Sequence, residues 1–374
     1  MSIYLDYNAT APIDPAVAAQ LPEWVANFGN PSSVHGDGRR AKVALETARS
    51  QVAEALGIPT MDVLFTSGGT ESNNWALFQI LRTHSPLDPA HLIVSAIEHS
   101  CILNAAKFLE AEGVQVTRVK PDGTGLITVS ALEAELRPNT RLISVMTANN
   151  ETGVIQPISE LTAMAQSRNI PFHSDAVQAL GKIPIDFTAP GLTLATLSGH
   201  KLGALKGIGA LIARDSSDLR PWAFGGGHEF GKRSGTENLL GILSLGEVMS
   251  RLSEKLAQDV GSKMTEFRDH LRQKWPEMWL SGEHVAALPN TLCLAYPGLN
   301  GRSLMMNLDI NGISVSTGSA CATGSIEPSH VLTAMGLDQW IIDGAIRISI
   351  GATTSHHELE ETAAVIGDCI AAIG

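Results

Sequence analysis

TLSGHKLGALKGIG, residues 196–209, follows an apolar run and contains glycines at 199, 203, 207 and 209. Residues 193–197 predict a short buried strand, so that Ser198 and Lys201 stand at its carboxyl end. The glycines let the backbone turn tightly and approach a ligand closely. A lysine in such a turn can lose part of its hydration, which lowers its pKa and makes its amine nucleophilic. An isolated Lys201 would more simply be a solvated loop residue, so its interpretation depends on what the rest of the chain brings to it.

Strands and helices alternate on both sides of this stretch. We predict strands at 63–67, 91–97, 114–119, 141–147, 170–174, 193–197 and 208–213, with helices between most of them. This alternation implies an α/β fold with a mostly parallel sheet, whose ligands bind beyond the carboxyl ends of the strands. The polar residues at five such ends are Ser67, His99, Asn150, Asp175 and Lys201.

These strand ends match the needs of one cofactor. A lysine that forms a Schiff base and a carboxylate for a pyridinium nitrogen are what pyridoxal phosphate requires of its protein, and Lys201 and Asp175 supply them. Gly68-Gly-Thr70 opens a predicted helix, where free N–H groups and the helix dipole suit a phosphate. An imidazole at His99 could stack on a ring and move protons. Taken singly, Gly68-Gly-Thr70 is as well explained as a helix cap, and His99 as a capping or surface histidine.

A second chemical element lies in the C-terminal third. Residues 314–327 form a small, polar, glycine-rich loop that contains Cys321, and an exposed cysteine can present a thiolate. Cys101, Cys293 and Cys369 stand in helix or strand patterns, which indicates small core residues. Arg347 lies within an apolar strand and therefore needs a carboxylate partner, either structural or a substrate's.

The elements around this loop predict a second, smaller domain. We predict a long helical region from 236 to about 275, strands at 290–296 and 344–350, and helices at 302–310, 328–335 and from 355 onward. The glycine-rich segment 221–235 is longer than an ordinary connection and is expected to be functional. Near the N-terminus, Asp14-Pro15 has the form of a helix start, and residues 38–56 show helical periodicity.

Composition excludes several classes of protein. The 374 residues are 44% hydrophobic and 17% charged, so the chain can bury a large core and is not disordered. A net charge of −12 argues against a broad surface for nucleic acid or anionic membrane. The four cysteines form no CxxC pair, and we find neither a signal peptide nor an apolar run of membrane-spanning length. We therefore expect a reduced, cytoplasmic protein.

The chain resembles the cysteine desulfurases of the NifS/IscS type, within the class V aminotransferase group. The stretches that carry the resemblance are YLDYNAT (4–10), NPSSVHGDGR (30–39), FTSGGTESNN (65–74), EHS (98–100), ANNETGVIQP (148–157), HSDAVQALGKIPID (173–186), SGHKLGALKGIGAL (198–211), GGGHEFGKRSGTEN (225–238), STGSACATGSIEPSHVL (316–332) and IRISIG (346–351). The resemblance implies the type I, aspartate aminotransferase-like fold of pyridoxal phosphate-dependent transferases. It also implies a large domain at 14–250 and a small domain, formed by 1–13 and 251–374, that carries the 314–327 loop.

The same resemblance implies roles for individual residues. Pyridoxal 5'-phosphate would be bound to Lys201, with Asp175 on its pyridine nitrogen, Gln178 on its ring hydroxyl and His99, also catalytic, stacked on the ring. The implied phosphate ligands are Gly69, Thr70, Ser198 and His200, together with Thr236 from the partner subunit of a homodimer. The carboxylate of L-cysteine would be held by Asn8, Asn150 and Arg347, and Asn150 is also expected at the cofactor.

The implied reaction converts L-cysteine to L-alanine and leaves the sulfur on Cys321 as a persulfide. The persulfide would then pass to an acceptor protein such as an iron–sulfur cluster scaffold. No resident metal site is expected, and the only implied metal contact is a transient one between Cys321 and an iron–sulfur cluster. A selenocysteine lyase, or a class V aminotransferase acting on another small amino acid, would not need Cys321 to turn over ordinary cysteine. A non-enzymatic docking subunit in sulfur transfer would carry no coloured cofactor.

Overall fold

The computed structural model describes residues 2–318 and 328–373. Its strands are β1 (Ile3–Tyr4), β2 (Val63–Thr66), β3 (His91–Ser95), β4 (Gln115–Val119), β5 (Thr140–Ser144), β6 (Phe172–Asp175), β7 (Leu192–Ser198), β8 (Gly209–Ala213), β9 (Trp279–Leu280), β10 (Thr291–Ala295), β11 (Ile313–Ser314) and β12 (Ile346–Ser349). Its α-helices are α1 (Pro15–Ala26), α2 (Gly36–Leu56), α3 (Gly69–Phe78), α4 (Ser100–Ala111), α5 (Val129–Ala134), α6 (Ile158–Ser167), α7 (Leu239–Ser250), α8 (Leu252–Leu256), α9 (Gly261–Lys274), α10 (Gly301–Ile310), α11 (His330–Ala334), α12 (Gln339–Gly344) and α13 (His356–Ala371).

Seven strands form the main sheet, in the order β2-β8-β7-β6-β5-β3-β4. Strand β8 runs antiparallel to both of its neighbours, and the other pairs in the sheet are parallel. The inner strands β3, β6 and β8 are buried along their whole length, as expected where helices cover both faces. The strand order reverses between β3 and β5, so a crevice opens there at the carboxyl ends. The predicted α/β fold with a mostly parallel sheet is confirmed.

Helix boundaries follow from local sequence signals. The side chain of Asp14 accepts a hydrogen bond of 3.0 Å from the N–H of Ala16, and Pro15 occupies the first turn of α1, as predicted. Helix α2 ends at Gly57, which takes the left-handed conformation (φ 67°) that favours glycine. The buried residues of α2 recur every three or four positions, among them Ala41, Leu45 and Val52.

The C-terminal third builds a smaller structure with its own core. Strands β12, β10 and β9 form an antiparallel sheet, and β1 pairs in parallel with β11. Residues of α9, α10 and α13 pack on this sheet in a hydrophobic cluster that also includes Ile3 and Leu5 from the N-terminal segment. The domain boundaries at 13/14 and 250/251 stay a prediction.

The structure differs from the predicted elements at two points. The predicted long helix from 236 to about 275 is three helices, because the backbone leaves the helical conformation at Arg251 and again before Gly261. The short strands β9 and β11 and helix α12 are absent from the prediction. Strand β1 ends at Tyr4, and the chain continues as turns. None of the helices within 2–318 and 328–373 combines the length and apolarity that a membrane crossing needs.

Candidate active site

A cavity of about 340 Å³ lies at the crevice between the sheet ends and the smaller structure. It brings together eleven residues predicted from the sequence: Asn8, Gly69, Thr70, His99, Asn150, Asp175, Gln178, Ser198, His200, Lys201 and Arg347. They come from the ends of β2, β3, β5, β6 and β7, from the N-terminal segment and from β12. The sheet topology therefore assembles residues that lie as far as 339 positions apart, from Asn8 to Arg347.

Lys201 ends the short 3₁₀ turn Gly199–Lys201 that follows β7. Its Nζ donates hydrogen bonds to the carbonyl oxygens of Asn8 at 2.6 Å and Ala9 at 2.7 Å. The turn depends on Gly199, since a Cβ there would lie 2.8 Å from Cγ2 of Ile208. The amine is thus held against the N-terminal segment at one wall of the cavity.

Asp175 is the last residue of β6 and is almost fully buried. Its Oδ1 accepts the N–H of Val177 at 2.9 Å, and its Oδ2 accepts Nδ2 of Asn73 at 2.7 Å. Two donors therefore hold the carboxylate group at the cavity wall in one orientation. Asn73, on α3, is absent from the sequence-based prediction, although it lines the cavity.

The start of α3 forms the expected anion cup. Gly68 precedes the helix with φ 152°, and no side chain caps the helix there. The first N–H groups of the helix therefore stay available to a ligand. Gly209 allows β8 to pass close by, because a Cβ there would lie 2.7 Å from Cα of Gly68. Ser198 and His200 line the same cavity, and Nδ1 of His200 is 3.1 Å from Oγ1 of Thr10. Burial, followed by the charges of Lys201 and Lys206, lowers the pKa of His200 to about 4.

His99 caps the N-terminus of α4. Its Nδ1 accepts the backbone N–H of Cys101 at 3.2 Å and lies 3.0 Å from the Cys101 Sγ. Burial lowers the pKa of His99; the charges of Lys201 and His330 act in the same direction, whereas Asp175 opposes them. The neutral ring that results has its proton on Nε2, since Nδ1 is already an acceptor.

Cys101 corrects one prediction. Sequence patterns indicate a small core residue, whereas the structure places its thiol at the cavity beside His99 and 3.3 Å from Nδ2 of Asn73. Burial and the carboxylate of Asp175 raise the pKa of Cys101 to about 12. The thiol is therefore protonated at neutral pH and is a poor nucleophile. Cys293 is buried in β10, as predicted, and Cys369 is half-buried in α13.

Arg347 has the carboxylate partner that its position in β12 demands. Its Nη2 lies 2.6 Å from Oδ1 of Asp6, and its Nη1 donates to the carbonyl of Asn150 at 2.9 Å. Its Nε is buried and has no hydrogen-bond partner among the described residues. A guanidinium that lines the cavity and is held in place by two partners suits an anionic ligand. Asp6 itself was not predicted; its signal was a single acid between apolar residues at the start of the chain.

The chain leading to Cys321 leaves from the wall of the same cavity. Ser316 and Gly318 line the cavity, whereas Cys321 lies outside the described residues. On the other side of this gap, Oγ of Ser329 donates to Oε2 of the buried Glu151 at 2.6 Å. A Cβ on Gly318 would lie 3.1 Å from the same Oε2. Glu151 therefore packs against both flanks of the segment that contains the cysteine.

Thr236 and Ser67 do not join this cavity. Both line a separate, smaller depression, together with Arg233. Arg233 pairs with Glu71 on α3, with its Nε 2.9 Å from Oε1. Thr236 is exposed on this chain, so its expected place at a partner subunit's cofactor stays a prediction.

The cavity residues fit pyridoxal phosphate. One amine, one anchored carboxylate, one imidazole and an open helix N-terminus surround a space large enough for a small ligand. The amine matches the Schiff-base carbon of that cofactor, and the carboxylate matches its pyridine nitrogen. The imidazole matches the ring face, and the helix N-terminus matches the phosphate. Within the described residues, no cluster of histidines, cysteines and acids has the arrangement of a metal site.

Comparison with known proteins identifies the family. The model of the family named Aminotransferase class-V matches residues 3–361. The chain belongs to this family, among the cysteine desulfurases of the NifS/IscS type. It is 38% identical to the cysteine desulfurase IscS of Dictyoglomus turgidum, over 97% of this chain and 93% of that protein. The solved structure of a NifS-like protein superimposes with a TM-score of 0.91 at 33% identity, covering 99% of this chain and all (100%) of the other. The structure of SspA in complex with cysteine covers 95% of this chain and 100% of that chain, with a TM-score of 0.84 at 35% identity.

Membership in this family accounts for the fold as well as for the grouping of residues at the cavity. The main sheet with its antiparallel β8, the smaller C-terminal structure and the crevice between them together form the type I fold of pyridoxal phosphate enzymes. The chain is thus a cysteine desulfurase by family, and the roles of its individual residues follow as a proposal.

Proposed function

We propose that this chain desulfurates L-cysteine with pyridoxal phosphate bound at Lys201, and that Cys321 receives the sulfur as a persulfide. The observation that carries the proposal is the composition of one cavity wall. Lys201, Asp175 and Arg347 line the same cavity as Gly318, which is three residues before Cys321. Three residues of chain span at most roughly 11 Å, so the cysteine belongs to the neighbourhood of the bound substrate.

The proposed cofactor contacts follow from the donors and acceptors in place. Lys201 would hold the cofactor covalently, and Asp175 would accept a hydrogen bond from the protonated pyridine nitrogen. Gln178 would contact the ring hydroxyl, and Asn150 would line the cofactor site beside it. The N–H groups of Gly69 and Thr70, with Ser198 and His200, would hold the phosphate. When bound, pyridoxal phosphate supplies an electron sink that acidifies the substrate Cα.

The substrate end of the cavity favours an amino acid with a free carboxylate. Arg347 supports this assignment because it lines the cavity, where Asp6 and the Asn150 carbonyl hold its guanidinium in place. Asn8 and Asn150 border the same region. A related structure, SspA, is described as a complex with cysteine, which supports L-cysteine as the substrate here.

Lys201 and His99 are the proposed proton-transfer residues. The Lys201 amine, once substrate has taken its place on the cofactor, would take the proton from Cα and return one to the product. His99 keeps a neutral ring with its proton on Nε2 because its pKa is lowered by burial. It would therefore stack on the ring without adding a positive charge, and it would donate a proton only from Nε2.

The sulfur step uses the thiolate of Cys321. The thiolate attacks the substrate sulfur and an S–S bond forms, while the C–S bond breaks. The electron pair of that bond stays with the carbon, which takes a proton and becomes the methyl group of alanine. We propose that the persulfide then passes to an acceptor protein such as an iron–sulfur cluster scaffold, and that the enzyme works as a homodimer.

A single turnover with L-cysteine, without reductant, tests this proposal. Mass analysis of the peptide that contains Cys321 should show a gain of one sulfur, and alanine should form in equal amount. Cys321→Ser should keep the visible cofactor band and lose sulfide release. Cys369→Ser is the matched control, because Cys369 lies in α13 away from the cavity. Alanine formed without sulfur on Cys321 would contradict the persulfide step, and a colourless protein would contradict the role of Lys201.

A further inference from the structure

We propose that Lys182 is a positioning residue, which turns the side-chain amides of Gln178 and Asn8 so that the NH₂ group of Gln178 faces the ring hydroxyl of the cofactor. This inference rests on the proposed function, since it assumes that Gln178 contacts that hydroxyl. Lys182 does not line the cavity and would act only through the two amides.

The contacts of Lys182 decide the orientation of both amides. Its Nζ donates to Oε1 of Gln178 at 2.8 Å and to Oδ1 of Asn8 at 2.8 Å. An amide has an acceptor end and a donor end, so an oxygen fixed by an N–H donor forces the NH₂ group to point the other way. The NH₂ group of Gln178 donates to the backbone carbonyl of Asn8 at 3.0 Å. That carbonyl also accepts Nζ of Lys201 at 2.6 Å, which places the donor end of Gln178 beside the cofactor lysine.

The other hydrogen bonds of the Asn8 side chain favour the same orientation of its amide. Its Oδ1 also accepts from Asn290 at 3.2 Å, and its Nδ2 donates to Oγ1 of Thr291 at 2.9 Å and to the carbonyl of Asn150 at 3.2 Å. Asn8 would thus keep its orientation without Lys182. The side-chain oxygen of Gln178 is held by Lys182, which lies four positions along the same segment of turns. We therefore expect the loss of Lys182 to act chiefly through Gln178.

Lys182 acts in this arrangement through the hydrogen bonds that its amine donates. The residue is half-buried and its amine lies out of water; burial, followed by the charges of Lys201 and Arg347, lowers its pKa well below the usual range. Charged or neutral, the amine has at least two N–H groups, and the two amide oxygens accept two of them. Gln178 and Asn8 are themselves buried, so a reversed amide would set its oxygen against the ring oxygen with little water to relieve the repulsion.

Lys182→Met tests the inference, because methionine has nearly the same length and no N–H donor. The purified apo-protein is titrated with pyridoxal phosphate, and the visible band of the loaded protein is followed against pH. We expect the dissociation constant of the cofactor to rise about tenfold. We also expect the pH midpoint of the band to move up by about one unit, since a ring oxygen without its donor holds a proton more tightly. Lys107→Met, at an exposed position of α4, is the matched control and should change neither value.

A double-mutant cycle with Gln178→Leu separates positioning from a general loss of packing. If Lys182 acts through Gln178, the double variant binds the cofactor no more weakly than Gln178→Leu alone. Fully additive losses, or an unchanged dissociation constant and band midpoint in Lys182→Met, would overturn the inference. The unaltered protein is the reference for the proposed function itself. If that protein failed to bind pyridoxal phosphate, the proposed function would fail, whereas normal binding with an indifferent Lys182→Met would reject only the role of Lys182.

Discussion

At the scale of single residues, Glu98 is a buried acid that the proposed chemistry does not use. Its side chain is fully buried; Oε1 accepts from Ser95 at 2.6 Å and from the N–H of Met146 at 2.7 Å. Its Oε2 has no hydrogen-bond partner among the described residues. Burial, assisted by the charge of Asp175, raises the pKa of Glu98 to about 8. The folded protein therefore keeps the proton at pH values where the unfolded chain has released it.

This raised pKa makes stability depend on pH with a defined sign. The stability that Glu98 contributes is fully present below its unfolded pKa of 4.5 and is lost as the pH rises through about 8. Glu98→Gln imitates the protonated acid and lacks this dependence. Its unfolding free energy relative to the parent protein should rise by about 1.4 kcal/mol for each pH unit in that window. Urea unfolding at about pH 5.5 and about pH 7.5 measures the change. The exposed Glu112→Gln is the control, and a difference that does not depend on pH would contradict the assignment.

Cys101 is the second thiol near the proposed chemistry, and its environment keeps it out of the sulfur transfer. Because its pKa is raised to about 12, almost none of it is thiolate at neutral pH. We expect the peptide that contains Cys101 to gain no sulfur after turnover. Cys101→Ala should retain desulfurase activity within about threefold, since it removes only a weak contact to Asn73 and His99. Sulfur found on Cys101, or a collapse of activity in the alanine variant, would refute this prediction.

Some residues of the cavity could be predicted from the sequence, and others could not. Lys201, Asp175 and His99 could be predicted because each follows a strand whose end the pattern marks. Asn73 and Cys101 could not, since a polar or small residue inside a helix reaches the cavity only through the way that α3 and α4 pack. Their local patterns are those of ordinary helix residues.

At the scale of elements, a buried ion pair fixes the glycine-rich segment 221–235. Glu229 binds Arg49 of α2 through both of its oxygens, at 2.7 and 2.9 Å, and also accepts the N–H of Phe65 at 2.8 Å. Both charged side chains are almost fully buried, and the guanidinium lies over the rings of Phe65 and Phe230. Glu229 and Phe230 have φ values of 47° and 57°, which non-glycine residues seldom adopt. The pair therefore holds a strained turn in the segment that leads to Thr236.

Removing one partner of this pair should cost more than removing both. Arg49→Met leaves the Glu229 carboxylate buried without its cation, and we expect unfolding to become easier by about 3 kcal/mol. The double change to Arg49→Met and Glu229→Gln should recover part of that loss, because no uncompensated charge remains. Denaturant unfolding of the parent, the two single variants Arg49→Met and Glu229→Gln, and the double variant gives the comparison. The losses of stability in Arg49→Met and Glu229→Gln could instead add up in full in the double variant. That result would mean that the two charges do not compensate each other.

Elements were predicted well where sequence periodicity is long and poorly where it is short. The buried stripe of α2 and the start of α1 at Asp14 match their signals. The two-residue strands β9 and β11 are too short to show alternation, and their pairing depends on contacts distant in sequence. The antiparallel direction of β8 follows from its sharp return after the Lys201 turn, and composition does not encode it. The helical pattern over 236–275 conceals two breaks because good helix formers surround them.

At the scale of the whole molecule, the N-terminal segment joins the two cores around the cavity. Ile3 pairs with β11, and Leu5 packs in the smaller core. Farther along, the N–H of Ala11 donates to the carbonyl of His200 at 3.0 Å, and that of Asp14 to the carbonyl of Gly203 at 2.9 Å. Asp6, between these anchors, binds Arg347 of the smaller sheet. The cavity is thus shared by both parts of the chain, so its shape depends on their relative position.

The position of Thr236 predicts that each complete site needs two chains. Thr236 is exposed and lies apart from the cavity of its own chain. If it reaches the phosphate of the partner subunit's cofactor, a dimer of one Lys201→Ala chain and one Thr236→Ala chain has one complete site. That site takes its lysine from the Thr236→Ala chain and its threonine from the other chain. Random pairing makes half of the dimers mixed, so about a quarter of the sites should be complete.

The measurement is desulfurase activity at limiting pyridoxal phosphate, after the two variants are unfolded together and refolded as a mixture. We expect the mixture to exceed the mean of the two separately refolded variants and to approach about a quarter of the parent activity. Lys107→Met mixed with Lys201→Ala is the control for refolding, and it should give no gain beyond its own mean. A mixture of the Lys201 and Thr236 variants that equals the mean of its parts would place Thr236 outside the partner's site. The cavity would then be complete within one chain.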